Sequence, residues 1–383
     1  MELRTARGRL FLLLLLIVFL PLLNHTFNVI ESGKLLGEMI KHPDPRFSLA
    51  KWWDGSYQDE KTLYINDSIG FRPDLVRMND QIDFSIFKKL QGEDTYIGRD
   101  NYLFSKAYIN EYEGRGYMGD SVIRDELVKL KMVQDTLERL GKTLIFTYAP
   151  SKPYCFPNYI PAILLRNGGK KVSNYQTFRR IGDSLHLKQL DFNALFAAMR
   201  DTSKYPLFTK EGVHWSVYGS VLASDTLEKY INRERKIKMP ELIITKVQTS
   251  DTARNADNDL GRCANLIFPI NKDQYYYPEY HYNTDSTTTK PKTIFIGDSF
   301  VWLWIGDGFI QNTTTDWEYW YYFNDVWDKN GKSIVNTDKY NWQKSLLATD
   351  CIVIVYTPMN FTGFRTKTSF IETMYNYFYP GKR

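Results

Sequence analysis

The chain has 383 residues, 43% hydrophobic and 24% charged, with a formal net charge of +5. At roughly 150 residues per domain this is one large domain or two ordinary ones, with ample chain for a buried core. A mean hydropathy below zero, unexceptional Gly and Pro, and near-cancelling charge (49 basic, 44 acidic) exclude low-complexity disorder, collagen-like repeats, a polytopic membrane protein and a nucleic-acid-binding basic surface.

Arg4, Arg7 and Arg9 precede the apolar run Leu10 to Leu23, broken only by Pro21. A basic flank followed by a hydrophobic stretch is an export signal, and no small-x-small cleavage site follows it. The expectation for residues 1–30 is therefore a retained signal-anchor, with a removed signal peptide as the alternative. The basic flank stays in the cytoplasm and the remaining chain is exported.

Residues 31–95 form a mainly helical N-terminal region, with Asn79–Lys89 an amphipathic helix ended near Gly92. Tyr96–Phe104 alternates about Gly98, a hairpin signal. Ser121–Leu140 is a helix stopped by Gly141, and Thr143–Tyr148 a short apolar strand closed by Ala149-Pro150. Tyr175–Leu187 is helical, Lys188–Asp191 a strand, Ala194–Arg200 a helical turn and Ser216–Asn232 a third clear helix. Residues 234–290 are polar and poorly periodic and are expected to be an insertion in a domain spanning 96–383. Thr293–Ile296 and Cys351–Tyr356 are apolar, β-branched strands. Strands alternating with helices from 121 onward give an α/β layer fold with a mostly parallel sheet, whose chemistry sits at the strands' carboxyl ends.

Four segments fall at such ends. Thr293–Ile296 runs into Gly297-Asp298-Ser299, placing a serine at a strand-to-helix turn where following amides can hold an oxyanion. Glu211-Gly212-Val213-His214-Trp215 precedes the helix from Ser216, so His214 can reach a neighbouring strand end with Glu211 to orient it. That is the logic of a Ser-His-acid hydrolase. Asn360 follows the strand ending at Tyr356, where its amide can donate to an oxyanion. Ala149-Pro150-Ser151-Lys152 lines a strand end without chemistry of its own. The bland readings are a helix cap for Asp298-Ser299, a locally satisfied His214 and a turn residue for Asn360.

The three cysteines (Cys155, Cys263, Cys351) are too few for a disulfide framework, leaving one bridge and a free thiol open. The five histidines lack metal-ligand spacing, so neither metal nor cofactor is expected. Aromatics make up 15% of the chain; they suit stacking on sugars as well as ordinary cores.

Together these blocks resemble the SGNH (GDSL) hydrolase superfamily: Gly297-Asp298-Ser299 its first block, Asn360 its third, and Glu211-Gly-Val-His214 its last, with Glu for Asp. The His block comes first here. Reading 293–383 and then 121–232 restores the family order, which implies a three-layer SGNH hydrolase-like fold in circularly permuted form. That arrangement is similar to the alginate O-acetyltransferase AlgX/AlgJ group. Asp54-Gly55, Asp67-Ser-Ile-Gly70-Phe-Arg72, Tyr102-Leu-Phe104, Ala149-Pro150-Ser151-Lys152 and His214-Trp215 look like that group's signatures.

The resemblance implies a periplasmic protein, held at the bacterial inner membrane by its anchor, that transfers acetyl groups to exopolysaccharide hydroxyls through an acetyl-serine. It implies a polysaccharide acceptor, a membrane-bound O-acyltransferase as acetyl supplier, and no nucleic-acid partner. Ser299, His214 and Glu211 would be catalytic, and Asn360, Trp215 and Tyr356 would serve the oxyanion and substrate. The group usually places its acid two residues before the histidine, where this chain has Gly212. Two other readings use the same residues: a polysaccharide acetyl-esterase, and a degenerate domain that binds polysaccharide or assembles with partners.

Overall fold

Leu144, Phe146 and Tyr148 face one way and Ile145 the other, and every residue of Thr143–Tyr148 is buried. A strand with both faces covered needs a layer on each side, and the computed structural model supplies both. It describes residues 6–37, 41–91, 94–165, 172–331 and 333–381. Arg4 of the basic flank and Gly92, the expected helix stop, lie outside these.

The chain divides into two units, Met1–Gly92 with Gly261–Ile270, and Glu93–Leu260 with Asn271–Arg383. In the first, Ala6–Phe27 is a 22-residue helix, long and apolar enough to cross a membrane, with Pro21 inside it. Three further helices follow, Leu49–Asp54, Ser56–Ser68 and Arg72–Phe87.

Among its described residues the second unit contains eleven strands. β1 (Thr95–Ile97) and β2 (Leu103–Ser105) form the expected hairpin. β3 (Thr143–Tyr148), β4 (Gln189–Asp191), β7 (Thr293–Gly297), β8 (Trp317–Tyr321), β9 (Asp325–Asp328), β10 (Ser333–Asn336) and β11 (Cys351–Tyr356) make a seven-stranded sheet in the order β10-β9-β8-β7-β11-β3-β4. The five strands from β8 to β4 are parallel, and β9 and β10 extend the β8 side in antiparallel fashion. β5 (Glu241–Ser250) and β6 (Tyr275–Asn283) pair separately as a long antiparallel ribbon.

Helices Asp120–Arg139, Asn174–Ser184 and Phe370–Phe378 cover one face. The first does so because Ile123, Leu127, Leu130, Val133 and Leu137 recur on one stripe and are fully buried, each contributing about 1.5–3 kcal/mol. Helices Phe192–Met199, Val217–Arg235, Val301–Gly306 and Phe309–Thr313 cover the other face, around Trp215, Phe300 and Trp304. The result is the expected three-layer, mostly parallel SGNH-like α/β fold.

Two regions differ from the sequence reading. The polar stretch 234–290 is not irregular: it holds β5, β6 and a short helix, Asp259–Cys263. β6 alternates between more and less buried positions but β5 does not, so the ribbon as a whole carries no clean two-residue period. The aromatic stretch after Gly308 carries β8 to β10, which complete the sheet. All three cysteines are free, Cys155 and Cys351 buried and Cys263 exposed.

Candidate active site

β7 and β11 are adjacent parallel strands, so Ser299 and Asn360 emerge at the same sheet edge. Gly297 is required here. A Cβ on it would stand 2.1 Å from the carbonyl oxygen of Val355, which no side chain tolerates. The carboxylate of Asp298 ties the two strand ends together, accepting from the Thr357 amide (2.7 Å), Thr357 Oγ1 (2.7 Å) and Asn360 Nδ2 (2.8 Å). The Tyr319 hydroxyl donates to the Asp298 carbonyl from β8.

His214 arrives from the opposite direction, on the loop before helix Val217–Arg235. Ser216 caps that helix, its hydroxyl accepting from the Gly219 amide at 2.9 Å. His214 Nε2 lies 2.7 Å from Ser299 Oγ. The next residue in each segment sets this distance: Trp215 and Phe300 pack edge-on with ring centroids 5.1 Å apart, both fully buried. Two core aromatics thus hold two polar neighbours in register.

The acid beside the histidine is Asp259. Its Oδ2 meets His214 Nδ1, and its Oδ1 accepts from the Val213 amide at 2.8 Å. Glu211, the acid expected from spacing, does not reach the imidazole. Its Oε1 accepts instead from the amide (2.9 Å) and Nδ2 (3.0 Å) of Asn271, and burial pushes its carboxyl upward. The reason shows at Gly212. A Cβ there would lie 2.7 Å from Thr209 Oγ1 and 2.9 Å from the Ala256 carbonyl oxygen. The segment that delivers Asp259 occupies the space an acid at 212 would need.

Lys152 is a second residue whose role the spacing did not reveal. Its fully buried ammonium donates to the carbonyls of Leu103 (2.9 Å), Lys210 (2.7 Å) and Gly212 (2.8 Å), using all three of its hydrogens. It therefore clamps the histidine loop from beneath. Burial pulls its pKa down to about 7, while Asp259 and Glu211 push it back up.

The remaining expected residues are placed as follows. Trp215 has no exposed surface and is core, so it offers no face to a sugar; Trp304 is likewise fully buried. Tyr356 is 6% exposed and, with Asn360, lines a cavity of about 320 Å³ at the same sheet edge. Asn360 Nδ2 is spent on Asp298 and Thr357 Oγ1. Three glycines that follow Ser299 in the chain, Gly306, Gly308 and Gly331, are candidates to lend an oxyanion a backbone amide; Gly306 ends the helix leaving Ser299, ~10 Å along at the α-helical rise. Gly308 lies beyond it, and Gly331 sits past β9, whose antiparallel course carries it to the far edge. None of the three stands beside Ser299. Tyr108 is buried close by; burial and the nearby Asp298 push its phenol well above the usual tyrosine value, so it stays protonated as a donor. Among the described residues no cluster of His, Cys, Asp and Glu is suited to a metal ion.

After Tyr321 the chain adopts the left-handed conformation twice, at Tyr322 (φ 49°) and Phe323 (φ 55°). Bulky side chains seldom do so, and each such residue costs about 1–3 kcal/mol. The turn is held by the Tyr322 amide donating to the Gly297 carbonyl at 2.8 Å and by burial of Phe323 against Phe370.

A family model described as the SGNH hydrolase-like domain of acetyltransferase AlgX matches residues 96–315. Three solved structures are similar. The O-acetyltransferase domain of Pseudomonas putida AlgJ is 16% identical, with a TM-score of 0.47 over 74% of this chain and 99% of that one. Pseudomonas aeruginosa AlgX is 11% identical, with a TM-score of 0.46 over 76% and 68%. Bacillus cereus PatB1 is 12% identical, with a TM-score of 0.41 over 70% and 96%. None of these scores reaches 0.5. No curated protein sequence matches the chain significantly.

Proposed function

The chain belongs to the SGNH hydrolase-like AlgX acetyltransferase family, and from that premise we propose that it moves acetyl groups onto polysaccharide hydroxyls through Ser299, His214 and Asp259. The observation that carries this reading is the continuous line from Ser299 Oγ through His214 to the Asp259 carboxylate.

His214 Nε2 takes the Ser299 proton as Oγ attacks the acetyl carbonyl of a donor. The protonated imidazole is held by Asp259 and returns its proton to the departing donor group, leaving acetyl-Ser299. A sugar hydroxyl then gives its proton to His214 and attacks the acetyl carbon; ester exchange restores the Ser299 hydroxyl. The Ser299 amide and the Asn360 side chain stabilise the oxyanion, Asn360 by turning part of its donor capacity from Asp298 to the substrate. Asp259 takes the part that spacing suggested for Glu211. With this acid in reach, Gly212 no longer favours a degenerate site.

The helix Ala6–Phe27 and its basic flank support an inner-membrane anchor with the catalytic unit in the periplasm. There a membrane-bound O-acyltransferase would supply the acetyl group. We read the chain order, histidine block before serine block, as a permuted form of the superfamily arrangement.

The test follows acetate release from a chromogenic acetyl ester by the full-length protein in mild detergent, with and without an oligosaccharide acceptor. Ser299-dependent turnover with acetyl recovered on the sugar supports the transferase. Release to water alone points to the esterase, and no loss in Ser299→Ala overturns catalysis at this site.

A further inference from the structure

The cavity of about 320 Å³ beside Asn360 opens at the strand ends that carry the acyl-serine chemistry, and apart from Asn360 its lining has been given no role there. Asn360 forms part of its wall while donating to Asp298, the residue before Ser299. Its size falls within the range of small-molecule sites.

Two features of its wall point to a ligand. The left-handed turn at Tyr322 and Phe323 buries one aromatic ring and leaves the other 44% exposed at the cavity, 6.2 Å from the ring of Tyr356. An exposed tyrosine on a strained, well-anchored turn is a rigid stacking surface. The rest of the lining is rich in hydroxyls, including Thr362, Thr366 and Thr368. Asp338 is the one carboxylate among the lining residues, and no lysine or arginine is among them, although Lys339, Arg365 and Lys367 adjoin lining residues in the sequence.

We propose that this cavity is the acceptor subsite, and that it receives a neutral, hydroxyl-rich sugar residue rather than a uronate. The proposal rests on the transferase reading, because an acceptor subsite must adjoin the acyl-serine. An aromatic face stacks on the apolar face of a pyranose, and hydroxyl and amide groups pair with its hydroxyls. A carboxylate-bearing sugar would meet Asp338, and no lysine or arginine lines the cavity itself to pair with it.

Calorimetric titration of the full-length protein tests this without any acetyl donor, using a neutral gluco-oligosaccharide, an oligouronate and an oligoglucosamine. The neutral sugar should bind at least about tenfold more tightly than the oligouronate. Tyr322→Ala should weaken neutral-sugar binding about tenfold, while Tyr322→Phe, which keeps the ring, should retain it within about threefold. Asp338→Lys, an exposed substitution, should raise oligouronate affinity about tenfold. Thermal melts establish that each variant is folded. Equal or tighter binding of the oligouronate, binding of the oligoglucosamine alone, no measurable binding of any probe, or indifference to both Tyr322→Ala and Asp338→Lys overturns the proposal. Failure of the transferase reading shows separately, as turnover of the chromogenic ester that does not depend on Ser299.

Discussion

His214 and Asp259 stand 45 residues apart in the chain, yet the aspartate meets the imidazole nitrogen that faces away from Ser299. It holds the ring through Oδ2 and the loop through Oδ1, by way of the Val213 amide. One carboxylate thus fixes both the tautomer and the position of the base.

Asp259→Asn should therefore lower kcat for acetyl turnover by roughly 10³–10⁴, the loss typical when a triad acid can no longer orient its histidine. Glu211→Gln should leave kcat within about threefold, because an amide oxygen still accepts from Asn271. Steady-state kinetics on a chromogenic acetyl ester decides between the two acids. The reverse ranking would restore Glu211.

Restoring an aspartate at position 212 should not rescue the enzyme. In an Asp259→Ala background, Gly212→Asp is expected to stay inactive and to melt lower than Asp259→Ala alone, because its Cβ would press on Thr209 and the Ala256 carbonyl. Activity measured beside a thermal melt checks both parts.

Lys152→Met should strip the donor from three carbonyls at once. A loss of roughly 3–5 kcal/mol is expected, as when one partner of a buried charged network is removed. Urea denaturation reads it directly. A change under about 1 kcal/mol would mean that water replaces the ammonium without strain.

Glu111 predicts a pH signature unconnected with catalysis. Burial raises its carboxyl to about 7, and its Oε2 has no hydrogen-bond partner. Between the unfolded value near 4.5 and the folded value near 7 the native state holds the extra proton. Its stabilising contribution is therefore complete below about pH 4.5 and lost as pH rises through 7. Glu111→Gln should match the wild type in acid and exceed it above pH 7, by at most about 3 kcal/mol. Denaturation midpoints across roughly pH 4 to 9 test this divergence.

The sheet and its helical cover were readable where burial is two-sided or regularly periodic. Thr143–Tyr148, Cys351–Tyr356 and the stripe from Ile123 to Leu137 announce themselves, and Ser299 and His214 sit in local motifs at their edges. Asp259 does not, because its partner is remote and an aspartate at the start of a short helix looks like a cap. The clue available was negative: Gly212 where an acid was expected, followed by an aspartate-bearing excursion. Trp215 misled for the opposite reason, since composition does not distinguish a tryptophan that stacks on sugar from one that fills a core.

Thr147 on β3 hydrogen-bonds to Ile354 on β11, 207 residues further along, and these strands lie side by side in the sheet. A pairing that distant must close a very large loop before it gains anything, which slows folding. The middle of the sheet therefore stays open until β11 arrives between β3 and β7. Until then β3 and β7 each present a bare apolar edge, the kind of surface on which unfinished chains aggregate. Productive maturation then depends on shielding those edges until β11 closes the gap, and expression yield should track that protection more than the stability of the finished fold.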